Sequence, residues 1–451
     1  MALRPTMSTQ ASLPGTEFCR PAITRPASDP AAAPAWTLYT ERRRWGLLAI
    51  LFLVATSDSY DRNVLSVVLE PIRHEFHVPD AMLGLLGGFC TAVFYTLFGL
   101  PLARWADRGN RRTLITLALA AWSLMTACCG IAQTFWQLAL FRIGVGAGQS
   151  GATPAAQSLI ADYFPPQRRA SALAIFTASS MAGYLLGFLV GGLIAAAHGW
   201  RAAFLVGGAM GLALALVTRL GLSEPRSIRT LDAGQAPERV LQALRLLVKK
   251  RSYRFVLAAA FVYFPFVFGV QLFIPAFLMR VLKVPLTELS IYYGAVTAVS
   301  TVIGTLGGGW LSDYLGRKDV RWLGWLPAVG CGLSLPLYIV QFCFHGFVPF
   351  LVATFFWSMV LNAALPSVFA AIHAVCGSRR RAMAIAIVLF SGTLFGAGIG
   401  PLMIGAMSDA LSVIYGADGL RYALIAGTPL VAVTGGCFYL MGRAMPADLE
   451  D

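Results

Sequence analysis

Residues 140–151 of this 451-residue chain read Leu-Phe-Arg-Ile-Gly-Val-Gly-Ala-Gly-Gln-Ser-Gly, placing one arginine, Arg142, in an otherwise apolar, glycine-rich run. A charge in hydrocarbon costs at least ~2.5–3.5 kcal/mol, so such a residue faces a bundle interior or a wet cavity. Gln149 follows two helical turns later, on the same face. A second apolar run carries Asp58, Asp61 and Arg62 near its middle, at i, i+3 and i+4 on one helical face. Burial raises a carboxylate's affinity for protons and a neighbouring arginine lowers it, so a movement that changes either can load and release a proton. An arginine there can take the anionic group of a ligand in competition with the carboxylates. Asp61 and Asp58 are the expected proton carriers, and Arg62, Arg142 and Gln149 the expected ligand contacts. The alternative is a permanent ion pair that only locks two helices together.

The elements that must position these residues are membrane helices. The chain is 57% hydrophobic and 12% charged, about half the charge of an ordinary soluble protein. Apolar runs long enough to cross a bilayer recur twelve times: 45–72, 82–104, 113–132, 135–163, 169–197, 200–222, 253–282, 287–311, 322–343, 346–375, 382–410 and 417–442. The expected division is a disordered cytoplasmic tail (1–40), a six-helix bundle (41–222), a polar linker (223–251), a second six-helix bundle (252–445) and a short tail (446–451). With the N-terminus inside, 28 of the 35 Lys and Arg fall in inside segments and 5 in outside ones. That bias orients the chain with both termini cytoplasmic. It also accounts for the net charge of +14 without nucleic acid. At ~1.5 Å per residue, Asp58 and Asp61 lie ~20 and ~24 Å into a ~30 Å core from the inside, and Arg142 ~10 Å in from the outside. The first and fourth helices are therefore expected to bring these charges together in the outer half of the membrane.

The halves echo each other. Ala103-Arg-Trp-Ala-Asp107-Arg108-Gly-Asn-Arg111-Arg112 follows the second run, and Gly309-Trp-Leu-Ser-Asp313-Tyr-Leu-Gly-Arg317-Lys318 follows the eighth. The spacing between the aspartates is one half of the molecule, the mark of a duplicated six-helix unit such as transporters use. The second of these loops resembles the Gly-x-Leu-x-Asp-x-x-Gly-Arg-Lys signature of the major facilitator superfamily. The first keeps the Asp and both Arg but has Ala103 and Asn110 where glycine is usual. A finer resemblance, to the Spinster-like branch, lies in Asp61-Arg62-Asn…Leu69-Glu70-Pro71, in Arg142-x-x-x-Gly146, and in Gly396-x-x-x-Gly400-Pro401…Gly405-Ala-Met-Ser408-Asp409. That branch commonly has glutamate where this chain has Gln149, and the family implicates that glutamate in proton coupling. Here Asp61 or Asp58 must carry the proton, or coupling is absent. The resemblance implies an all-α membrane protein, two pseudo-symmetric six-helix bundles, and gating by Asp107, Arg108, Arg111, Arg112, Asp313, Arg317 and Lys318.

No deep charge stands in the C-terminal half; its candidates are Gln271, Trp357 and Asn362 among many aromatics. A charged wall opposite an aromatic one suits an amphipathic or aromatic organic anion, with lysophospholipid-type substrates implied by the Spinster resemblance. The expected function is a secondary active transporter, proton-coupled, working as a monomer in a bacterial inner membrane. A broad drug or metabolite exporter, an uncoupled carrier and a transport-inactive sensor are the alternatives. The eight cysteines have neither metal spacing nor a paired framework. No nucleotide-binding loop or catalytic constellation is present, so neither an enzyme nor a cofactor is expected.

Overall fold

Lipid offers backbone groups no hydrogen bonds, so a chain this apolar crosses the membrane as helices whose bonds close within each segment. The computed structural model describes residues 35–225, 240–376 and 380–449, and among them there is no strand. Twelve helices cross in succession. The first is Glu41–Phe76, then come 80–108, Arg111–Cys129, 135–163, Pro166–His198 and Trp200–Gly221. The second half holds Arg251–Arg280, Leu286–Gly316, Trp322–Cys343, Phe347–Val375, 381–415 and 419–448. Nine helical segments are long and apolar enough to span by composition, one of them, Met383–Asp448, containing both the eleventh and twelfth crossings. The two crossings that fail this criterion are the first and the fourth, which carry the intramembrane charges. The first is interrupted by Asp58, Asp61 and Arg62. The fourth breaks at Ser150–Gly151 into Phe135–Gln149 and Ala152–Tyr163. Pro154 supplies the reason: its ring displaces the carbonyl four residues earlier and it has no N–H to donate.

One irregularity recurs with the duplication. Single π-helical turns occupy Leu85–Phe89, Gly187–Gly191, Leu289–Tyr293 and Gly392–Ala397, in the second, fifth, eighth and eleventh helices. These four helices pair across the seam between the halves, second against eleventh and fifth against eighth, and the first helix meets the seventh there too. Glycines let the backbones meet there. A Cβ on Gly84 would sit 2.3 Å from the Pro401 carbonyl oxygen, and one on Gly405 2.3 Å from that of Asp80.

The buried apolar residues show where the halves join. One cluster, including Leu47, Trp122, Leu159 and Leu222, stays within the N-terminal half at the end bearing Arg42–Arg44 and Arg111, here called the basic end. A second runs through both halves toward the opposite, far end, uniting Leu69, Leu83 and Leu86 with Phe273, Phe277 and Ile404.

Several boundaries differ from expectation. Residues 1–34, within the expected disordered tail, lie outside the described residues, but Ala35–Leu38 forms a 3-10 turn. Tyr39 is buried edge-on against Tyr163, because an aromatic so close to the first helix gains more by packing than by hydration. The last helix continues through Pro446 to Asp448, beyond the expected 445. Asp448 is held because its carboxylate accepts hydrogen bonds from the Ser252 N–H (2.6 Å) and hydroxyl (2.8 Å), capping the seventh helix. In the linker, 226–239 lie outside the described residues, and Val240–Lys249 is an amphipathic helix.

Candidate functional site

The first helix positions Asp58, Asp61 and Arg62 in the N-terminal half, and the third and fourth helices close on them. Asp61 is 2% exposed and Arg142 1% exposed. The Thr126 hydroxyl on the third helix donates to Asp61 Oδ2 at 3.2 Å. Arg142 Nη1 donates to the backbone carbonyl of Asp61 at 3.4 Å, not to its carboxylate. Arg62 pairs instead with Asp58 one turn below it, and the Arg62 side chain remains 44% exposed. The expected meeting of the first and fourth helices is thus present, but the four charges divide unequally. Asp58 and Arg62 neutralise each other. Arg142 makes no ion pair among the described residues, and its Nε has no hydrogen-bond partner there. Asp61 Oδ1, Asp58 Oδ1 and both amide atoms of the buried Gln149 are likewise unsatisfied by the described residues. Buried polar atoms are nearly always paired in proteins, so such a concentration marks a site built to receive water or a ligand.

Gln271 on the seventh helix reaches this face from the other half, its Nε2 lying 3.5 Å from Asn63 Oδ1. The other C-terminal candidates are placed differently. Trp357 is buried in an aromatic stack, its ring 5.0 Å from that of Tyr338. Asn362 Nδ2 is held by the Ser358 carbonyl at 2.8 Å and the Ser358 and Thr301 hydroxyls at 3.2 and 3.4 Å, tying the tenth helix to the eighth. Both are framework in this conformation. Toward the basic end from Gln271, a small apolar recess of about 40 Å³ opens inside the C-terminal half, lined by Tyr263, Phe264, Leu365, Phe369, Val388 and Phe438 among others.

At the far end a second ionic cluster joins the halves. Arg280, at the end of the seventh helix, donates through Nε and Nη2 to Glu70 (3.1 and 2.7 Å). Its Nη1 and Nη2 also reach Asp80 (2.6 and 2.8 Å). The Ser408 hydroxyl donates to Asp80 at 2.6 Å, and Arg73 approaches the same carboxylate at 3.2 Å. Asp409 accepts from the backbone N–H groups of Asp80 and Ala81, both at 2.8 Å, capping the second helix from the opposite half. In the sequence Arg280 counts as one of the outside charges; its burial could not be read there, because the two carboxylates that draw it inward stand 210 and 200 residues away in the chain.

The signature loops at the basic end are only partly free to gate. The Asp107 and Arg108 side chains lie outside the described ones. Arg111 is fully buried, its Nη2 2.7 Å from Glu224 and 2.6 Å from Asp162. It fastens the start of the linker to the end of the fourth helix. Arg112 caps the sixth helix by donating to the Arg219 carbonyl. In the second loop, Lys318 bonds the Tyr314 hydroxyl at 2.9 Å, and Asp313 and Arg317 end the eighth helix beside it.

A sequence profile of the Major Facilitator Superfamily matches residues 51–342. The chain belongs to the major facilitator superfamily. It is a multi-pass membrane protein. The crystal structure of a bacterial homologue of the human lysosomal transporter Spinster, in an inward-facing and unoccupied conformation, superposes with a TM-score of 0.84 at 29% identity, covering 92% of this chain and all of that one. An MFS-type efflux pump of Mycolicibacterium smegmatis is 33% identical over 404 residues, 89% of this chain and 93% of the relative. The cis,cis-muconate transport protein of Acinetobacter baylyi is 27% identical over 302 residues, 64% of this chain and 70% of its own.

Proposed function

We propose that the protein is a secondary active transporter, not an enzyme, and that it moves an amphipathic or aromatic organic anion by alternating access coupled to protons. One observation carries the reading: a buried Arg142 whose guanidinium has no carboxylate partner among the described residues. An unpaired buried cation is costly to maintain, and the carboxylate or phosphate of a substrate would complete it. The muconate transporter among the relatives supports an organic anion as cargo. The apolar and aromatic lining of the C-terminal half, Tyr263, Phe264 and Phe369 among it, supports an amphipathic one, its charged group at Arg142 and Arg62 and its apolar part against that lining.

The coupling follows from competition. With the anion away, Arg142 is the cation nearest Asp61 and favours its ionised form. An anion that engages Arg142 withdraws that support, and the buried carboxylate then binds a proton more readily. Substrate and proton would thus travel together through one cluster. By the positive-inside bias the basic end is cytoplasmic, and the far-end ionic cluster closes the outside. The likeness to an inward-facing Spinster homologue supports the same assignment. Opening outward requires Arg280 to release Glu70 and Asp80, while the basic loops approach each other; Asp313, Arg317 and Lys318 are the gating residues proposed there.

Proteoliposomes under an imposed gradient test this, with organic anions as cargo and a pH-sensitive dye inside. Wild type should show substrate-driven proton movement. Asp61→Asn should abolish proton movement while retaining substrate binding, and Arg142→Gln should lose binding of anions. Anion transport that survives Arg142→Gln unchanged refutes the reading. The efflux pump among the relatives favours a second one, broad export with little charge selectivity, for which neutral analogues would compete as well as anions.

A further inference from the structure

The linker helix Val240–Lys249 does no work in the transport cycle described above. It ends one residue before the seventh membrane helix, with only Lys250 between them, so it lies at the membrane surface. Leu247 is 2% exposed and packs inward, and the helix touches the starts of the seventh and eleventh helices. Its flanks are left outward: Leu246 and Val248 are 38% and 37% exposed. Arg245, Lys249, Arg251 and Arg254 are exposed on and just beyond it. No Asp or Glu occurs in the sequence between Glu238 and Glu288, and the one carboxylate brought to the segment, that of Asp448, is engaged by Ser252. Lys250 Nζ donates to the Val375 carbonyl at the end of the tenth helix (2.5 Å), and Asp448 at the end of the twelfth caps Ser252. The segment therefore gathers the basic ends of the seventh, tenth, eleventh and twelfth helices.

We propose that residues 240–254 form a binding site for anionic phospholipid headgroups on the C-terminal half. Exposed apolar flanks beside a run of positive charge, next to the start of a membrane helix, are the features by which an interfacial helix takes acyl chains and phosphates together. Juxtamembrane basic residues attract anionic lipid additively, and the attraction is screened by salt. A soluble acidic partner would engage the charges but gain nothing from Leu246 and Val248 at the hydrocarbon boundary. The bound lipids hold the four helix ends as one body, so this site acts on the C-terminal half as a unit.

The test uses the full chain in nanodiscs or detergent with phosphatidylglycerol and phosphatidylcholine as probes, read by native mass spectrometry and by thermal unfolding. Wild type should retain phosphatidylglycerol preferentially and unfold later in its presence, and both effects should weaken with added salt. The combined variant Arg245→Gln, Lys249→Gln, Arg254→Gln should lose affinity for phosphatidylglycerol by tenfold or more. Exchanging the same positions between Lys and Arg should retain it. Equal retention of the two lipids by wild type overturns the proposal, as does undiminished phosphatidylglycerol binding by the folded glutamine variant. If that variant fails to fold, the lipid selectivity and salt dependence of the wild type decide alone. None of these readouts depends on transport, so the lipid site and the proposed transport function stand or fall separately.

Discussion

Replacing Arg280 with glutamine should move the carrier toward its outward-open conformation. In the closed far end, this one guanidinium serves two buried carboxylates, reaching Glu70 at 2.7 Å and Asp80 at 2.6 Å. Glutamine removes the charge and leaves two buried carboxylates facing each other. Breaking a buried ion pair costs about 3–5 kcal/mol. Arg73 and Ser408 still contact Asp80, and His74 still lies 3.2 Å from Glu70, so the lower figure is the better guide. In the open conformation the same carboxylates are hydrated and the loss is small. About 3 kcal/mol against the closed state alone is a shift of roughly a hundredfold in its equilibrium with the open one. The assay is the rate at which a membrane-impermeant maleimide, added outside, modifies Asn63→Cys in a chain whose native cysteines have been replaced. That rate follows the population open to the outside, and it should rise by about two orders of magnitude. Arg280→Lys should lie between, because an ammonium cannot fork to two carboxylates. A rate within threefold of the parent, in a folded protein, would refute the argument and make the cluster a static brace.

Gly405→Val should act in the same direction, since its Cβ would meet the Asp80 backbone oxygen at 2.3 Å and no side chain there can yield; the same labelling rate measures it. Gln149→Glu places a carboxylate in a buried, unsatisfied site two turns from Arg142, and should add a titrating step to the pH profile of substrate counterflow; an unchanged profile would separate residue 149 from the proton path. Arg111→Ala leaves Glu224 without the guanidinium that satisfies it and should cost about 3–5 kcal/mol of stability, seen as a lower unfolding midpoint, with Arg111→Lys milder.

The fold was legible because twelve apolar runs and a duplicated loop are local features, and lipid leaves such runs only one structure. The inner charge cluster was legible too, since Asp61 and Arg142 sit where a charge has no business unless something faces it. What the sequence concealed were partnerships across the seam. Glu70, Asp80, Arg280 and Asp409 each stand near a helix end, where a charge needs no explanation, and nothing in their spacing says that they converge. The burial of Arg111 was hidden as well: it belongs to a basic loop, yet it is wholly buried, because Glu224 and Asp162 come to it from the linker and the fourth helix. Trp357 and Asn362 carried the right chemistry for a ligand, but neighbours on their own and adjacent helices claim it first.

The backbone-to-backbone approach of the second and eleventh helices bears on the cell's energy supply. At Gly84 and Gly405 main chain faces main chain, with no methyl group's worth of slack between them. Water cannot thread a contact of that kind, and protons move through proteins largely along water. Where these two helices touch, the far end is therefore closed to protons carried by water. Under the coupling proposed above, a membrane crowded with idle copies would hold its proton gradient, and the gradient would be drawn down only when a substrate is carried across.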